Sequence, residues 1–157
     1  MSINFQPIKT TEYQEWFMAH TKSYASDKVQ AQQWGEKEAF EQAKKDTNRF
    51  LSNGVNTPGH HLCHIVDGEK RVGSIWWTIS ERFGRKIAFI FDIVIHEEHR
   101  RKGYATKTIE HLKEMVYLEG VEAISLHVFA FNSAAIELYK KIGFATTSMN
   151  MTLRRKQ

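Results

Sequence analysis

Between positions 100 and 144 this chain of 157 residues carries groups able to hold an anion and, close by in sequence, groups able to move a proton. The turn Arg100-Arg101-Lys102-Gly103-Tyr104-Ala105-Thr106 comes shortly after the apolar run 87–95 and just before apolar positions Ala105, Ile109, Leu112 and Val116. That spacing predicts a helix starting at the turn. Its first backbone N–H groups lack intrahelical partners and, with the helix dipole, form a site for a phosphate or pyrophosphate. Gly103 supplies the backbone freedom such a turn needs, Ala105 is small enough to leave the approach open, and Arg100, Arg101 and Lys102 add attraction at longer range. The same residues could form only a solvated basic loop, but their position between a strand and a helix favours the anion site. Two ionisable residues lie beside the same crevice: Asp92 inside the apolar run, and His127 in the following stretch 124–129. Either can accept a proton, and Asp92 can instead receive backbone donors or recognise a cation, while His127 can be a hydrogen-bonded sheet histidine.

The elements that must position these groups can be read from periodicity. Thr11-Glu12-Tyr13-Gln14 has the spacing of a capping box, and Tyr13, Trp16, Phe17, His20 and Tyr24 follow at helical intervals. Ala39, Phe40, Ala43, Phe50 and Leu51 predict a second helix, closed by Ser52-Asn53-Gly54. Residues 62–66 and 72–79, separated by Asp67-Gly68-Glu69-Lys70, predict a hairpin, and a turn at Phe83-Gly84-Arg85 leads into a strand over 86–95, giving three antiparallel strands in succession. The helix 104–118 is then a crossover to a strand over 124–129 that should lie parallel to the one ending at Ile95. A ligand crevice is expected beyond the carboxyl ends of that pair. Asn132-Ser133 caps a short helix through Ile142, stopped by Gly143, and 144–153 is expected to finish the sheet.

Composition limits the alternatives. One domain spanning 1–157 is large enough to bury a core. A net charge of +4, with 22 basic against 18 acidic residues, is too small to imply a nucleic-acid partner, and Arg154-Arg155-Lys156 reads as a solvated end. The single cysteine, Cys63, cannot form an internal disulfide, and residues 1–10 lack the pattern of a signal peptide, so a cytoplasmic location is expected. The run 87–95 is too short to span a bilayer. In the cluster His60-His61-Leu62-Cys63-His64, strand alternation sends neighbours to opposite faces, so no metal site is expected. Trp34, Trp76 and Trp77 read as core and pocket wall.

Arg100-x-x-Gly103-x-Ala105, followed by Asn132, Ala135, Leu138, Tyr139, Gly143 and Phe144, resembles the two defining motifs of the GNAT superfamily of acetyl-CoA-dependent N-acetyltransferases. The resemblance is specific over about residues 91–144, with Ala105 an accepted variant of the last glycine. It implies an α/β fold of the α+β kind: a mixed central sheet, antiparallel N-terminal strands, one parallel pair at the cofactor cleft, and about four flanking helices. It further implies that acetyl-CoA is the cosubstrate and that no metal takes part. Main-chain groups at Ile93, Val94 and Ile95 are expected to bind the pantetheine arm, Arg100, Arg101, Lys102, Gly103, Tyr104, Ala105 and Thr106 the pyrophosphate, and Asn132 the cofactor. Tyr139 is expected to protonate the departing thiolate. The acceptor is an amine, on a small molecule or a protein, and the protein is a monomer or homodimer.

The implied chemistry makes demands on these residues. A primary amine of pKa near 10.4 is neutral in only about one molecule in 2,500 at pH 7, a handicap of about 4.6 kcal/mol, so a base or water relay must help. Asp92 and His127 are the candidates, His127 at a position where some family members carry a carboxylate. A phenol such as Tyr139 stays protonated at neutral pH yet can deliver a proton to a thiolate. A strand N–H freed by a bulge or splay near Ile95 can face the developing oxyanion. A CoA-binding sensor that has lost turnover is the alternative reading, against which Tyr139 and Asn132 argue.

Overall fold

Apolar alternation along residues 60–95 builds the middle of the sheet, and two shorter segments add its edges. The computed structural model describes residues 1–156. Strands β1 (Ile3–Pro7), β2 (His60–Asp67), β3 (Lys70–Arg82), β4 (Arg85–Ile95) and β5 (Ala123–Leu126) form one sheet in the order β1-β2-β3-β4-β5. The first three pairings are antiparallel, and β4 with β5 is parallel. Helices α1 (Tyr13–Gln30), α2 (Glu36–Phe50), α3 (Tyr104–Leu118) and α4 (Ser133–Ile142) complete the mixed architecture expected above.

The two sheet faces are covered by different helices. Tyr104, Leu112 and Val116 of α3, at helical spacing, pack on Ile65, Val72, Ile75, Trp77, Ala88 and Ile90. On the opposite face Trp16 and Phe17 of α1 pack on Leu62 and Trp76. Ala25 meets Ala39 and Ala43, small residues that let α1 and α2 approach closely. Gly73 is needed for a similar reason. A Cβ there would lie 2.0 Å from the Val94 carbonyl oxygen, so only glycine lets β3 run this close to the end of β4.

Three features differ from the expectations. The edge strand β1 was not anticipated, although Ile3 and Phe5 alternate onto the α3 face; five residues ending in Pro7 carry too little pattern to stand out. The start of α1 is closed by Glu12 rather than by Thr11: Lys9 N–H donates to Glu12 Oε1 at 2.9 Å, across a 3-10 turn at Thr10–Glu12. Residues 144–153 do not finish the sheet. They have no strand partner among the described residues, because β5 pairs only with β4 and is itself just four residues long.

Candidate active site

The cleft is made by a mismatch between two strands. β4 and β5 pair only over Ile87 to Ile90 and Ala123 to Leu126, so the backbone of β4 from Phe91 to Ile95 has no ladder partner on that side. Within the same stretch Trp76 is opposite Asp92 while Trp77 is opposite Ile90, so Phe91 is an extra residue, a β-bulge. The bulge resets the alternation and turns both Phe91 and Asp92 toward α1. The freed strand groups anticipated near Ile95 therefore begin four positions earlier.

At the mouth of the cleft, Gly103 sits at the start of α3 with φ 85°, and no side chain caps the helix. The first N–H groups of α3 are thus presented without a side-chain partner, as a phosphate site requires. The basic residues divide their work. Arg100 Nε donates to the Ile95 carbonyl at 2.8 Å, bracing the turn against the end of β4, and Lys102 Nζ donates to the Glu98 carbonyl at 3.1 Å, holding it to the 3-10 turn Glu97–His99. Tyr104 is buried and its hydroxyl donates to Asp67 Oδ2 at 2.7 Å, which leaves only its backbone for an anion. That hydrogen bond to a carboxylate also raises the phenol's pKa. Asn132 caps α4, its Oδ1 accepting from Ala135 N–H at 3.3 Å.

Asp92 meets a residue that sequence reasoning did not select. His20 of α1 places Nδ1 3.2 Å from Asp92 Oδ2. Its ring stacks on Trp16 at 4.9 Å and 5° and lies edge-on to Trp76 at 5.4 Å, which fixes its plane. The signal available in the sequence was a histidine on the apolar side of the first helix; nothing there indicated its partner. Two further groups feel the Asp92 charge. Burial, then Asp92, pushes the Asp27 carboxyl up, and the same two causes push the Tyr139 phenol up, so Tyr139 stays a proton donor at neutral pH. The Tyr139 ring is half-buried and packs edge-on to Phe144 at 5.6 Å.

His127 is placed differently from the expectation. β5 ends at Leu126, so His127 is exposed in the following loop rather than held in the strand. Partial desolvation by the surrounding loop and then the charge of Lys28 lower its pKa. Lys28 Nζ itself lies 5.6, 5.1 and 5.9 Å from the ring centres of Tyr24, Trp34 and Phe129. The histidine cluster of β2 is divided between the faces: His60 accepts from Trp76 Nε1 at 3.0 Å and His64 faces Glu12, while His61 stacks on Trp77 and Cys63 is in the core. Among the described residues no group of three or more His, Cys, Asp or Glu is placed to hold a metal ion. A hollow of about 450 Å³ bordered by Ile8, Val55, His60 and Leu62 contains none of the cleft residues.

The sequence profile of the acetyltransferase (GNAT) family matches residues 13–144, from the start of α1 through the cleft to the end of α4. The chain belongs to the GNAT family. This GNAT acyltransferase is similar to two N-acetyltransferases of Bacillus subtilis along its whole length. YycN is 35% identical over 97% of this chain and 98% of its own, and YdgE is 30% identical over 100% and 99%. The solved structure of the acetyltransferase YycN superposes with a TM-score of 0.94 at 32% identity, covering 99% of this chain and 100% of that one. Among the described residues of this GNAT protein, no helix is long and apolar enough to cross a membrane.

Proposed function

We propose that residues 1–157 act as one N-acetyltransferase domain in the cytoplasm, transferring acetyl from acetyl-CoA directly to a primary amine within a ternary complex. The observation that carries this reading is the splay of β4 from β5, with the uncapped Gly103 helix start and the Asp92 group both beside it. The start of α3 holds the pyrophosphate through N–H groups from Gly103 to Thr106, with Arg101 adding charge and Arg100 and Lys102 keeping the turn in shape. Main-chain groups of Ile93 and the N–H of Ile95, on the side of β4 that β5 leaves open, receive the pantetheine amides, while Val94 turns its carbonyl toward β3, and the side-chain N–H₂ of Asn132 lies at the start of α4 to meet the cofactor. The thioester supplies the acyl carbon that the amine attacks.

The acceptor enters between α1, α2 and β4, where Asp27 and Asp92 attract its ammonium form and aromatic rings of Trp76, Phe91 and Phe50 form walls. Before attack the ammonium must lose a proton. Asp92 takes the Nδ1–H of His20, which leaves Nε2 with its lone pair as the acceptor; His127, outside the strand, is the other candidate. As the C–S bond breaks, Tyr139 delivers its proton to the sulfur, and N–H groups freed at the Phe91 bulge face the oxyanion.

A screen of small-molecule and peptide amines with acetyl-CoA, read by thiol release, tests the activity. With an accepted amine in hand, Tyr139→Phe keeps the ring and removes the donor; turnover should fall about 10²- to 10⁴-fold while acetyl-CoA affinity holds. Tight acetyl-CoA binding with no thiol release from any amine would replace the enzyme by the sensor reading.

A further inference from the structure

We propose that Lys28 is an internal acceptor: with acetyl-CoA bound, its ε-amine takes the acetyl group of its own molecule and becomes Nε-acetyl-Lys28. The inference rests on the transferase reading above.

Two sides of the cleft place Lys28 beside the reaction. α1 crosses β4 at Asp92, where His20 contacts the carboxylate at 3.2 Å. One turn on, Tyr24 stacks on His20 at 6.0 Å, and two turns on, Asp27 feels the Asp92 charge, so Lys28 follows on the face of α1 that looks into the cleft. From the other side, β5 keeps level with β4 only as far as Leu126 and Ile90, and His127 and Phe129 belong to the loop that leaves where β4 becomes open. Lys28 Nζ reaches that loop. It lies 5.9 Å from the centre of the Phe129 ring and close enough to His127 for its charge to act there, the rings of His127 and Phe129 meeting at 4.9 Å.

The nitrogen is held without being neutralised. Nζ donates to Gln33 Oε1 at 2.8 Å and lies 5.6 and 5.1 Å from the rings of Tyr24 and Trp34, and among the described residues no carboxylate is within ion-pair distance of it. The chain reversal after α1 is built on the same residue: the N–H groups of Gln33 and Trp34 both donate to the Lys28 carbonyl, at 3.0 and 3.3 Å, which folds Trp34 back over its side chain. Three rings attract the ammonium and fix its resting place, while its flexible stem lets it turn from them toward β4. Giving up its proton breaks no salt bridge.

This assigns His127 a partner. Partial desolvation and the Lys28 charge favour its neutral imidazole, the form that accepts a proton. The Lys28 ammonium passes one proton to His127, Nζ bonds to the acetyl carbon, and the C–S bond breaks as Tyr139 protonates the sulfur. The nitrogen loses a second proton as the amide forms, which restores Tyr139. The products are Nε-acetyl-Lys28, the CoA thiol and one proton handed from His127 to water. Because amine and thioester share one molecule, they meet at high effective concentration. The acetyl group then removes both the cation from the rings and the charge that depresses His127.

The test is mass spectrometry with peptide mapping of the full chain incubated with acetyl-CoA and no added amine. One acetyl group should appear on Lys28 at a rate that does not change when the protein is diluted. Tyr139→Phe should slow it about 10²- to 10⁴-fold, while Lys22, exposed on the same helix, gains acetyl at an equal background rate in both proteins. Without acetyl-CoA, ¹⁵N-histidine titrations should show His127 moving to higher pH in Lys28→Gln. Transfer to an added amine with Lys28 untouched would overturn the self-acetylation and leave the transferase reading standing, whereas no transfer to either would overturn both. A Lys28 rate that rises with protein concentration or ignores Tyr139→Phe, or a His127 titration that ignores Lys28→Gln, would also overturn it.

Discussion

His20 and Asp92 meet at 3.2 Å because β4 carries one residue more than β3 requires. Without the extra Phe91, strand alternation would turn Asp92 toward α3 and away from the helix that bears His20. The sheet irregularity beside the cleft therefore brings the imidazole of α1 and the carboxylate of β4 together.

If His20 receives the amine proton, His20→Gln should lower kcat/KM about 10²- to 10⁴-fold near neutral pH while acetyl-CoA affinity holds. Asp92→Asn should lower it less, and ¹⁵N-histidine spectra should show the Nδ1–H tautomer of His20 only while Asp92 is present. If His127 is the base instead, the acidic limb of kcat/KM lies below the usual imidazole value, since partial desolvation and Lys28 lower the pKa of His127. Lys28→Gln would then move that limb to higher pH. The His20 substitution and the Lys28 shift together decide between the histidines.

Gly103→Val tests the anion site. The position has φ 85° with open space around a Cβ, so the substitution costs backbone strain of about 1 to 2 kcal/mol without a clash inside the protein. The fold should persist. Calorimetry should show that the preference for acetyl-CoA over a pantetheine lacking the nucleotide diphosphate is lost; an unchanged preference would remove the turn from the site.

Gly73→Ala should be costly for a different reason. Its Cβ meets the Val94 carbonyl oxygen at 2.0 Å and Ile95 Cα at 3.1 Å. Forcing these strands apart should destabilise the protein by about 1 to 3 kcal/mol and weaken acetyl-CoA binding, because β4 moves exactly where the cleft opens. Gly84→Ala, with nothing within 4 Å, should leave binding intact. Thermal melts and titrations of the two variants make the comparison.

Acid stability should depend on Glu12. The Lys9 N–H first, then Arg71 and His64, hold its carboxyl at about 2, against a usual 4.5. A depressed carboxylate stabilises the folded state above its unfolded pKa, and that contribution is lost as pH falls from about 4.5 toward about 2. Glu12→Gln should flatten the unfolding curve in that window and leave the slope near neutral pH unchanged.

Local pattern determined much of this protein. Helical spacing and Gly103 marked α3 to within its observed Tyr104–Leu118, and Asn132, Ser133 and Gly143 bounded α4, because caps and periodicity act over a few residues. The crossover made the β4 and β5 pair parallel before any contact was seen, since a helix between two strands allows that handed connection and little else. The Gly103 turn and the Asn132 cap were legible as helix starts for the same reason: each belongs to a short motif. His20 was not, because its role depends on a partner 72 positions away and on a bulge whose register no local rule fixes. Nor was the fate of 144–153. Its apolar alternation asks for a sheet, but whether an open edge is there to receive it depends on where β5 ends and α4 turns, which exist only once the chain has been placed in three dimensions.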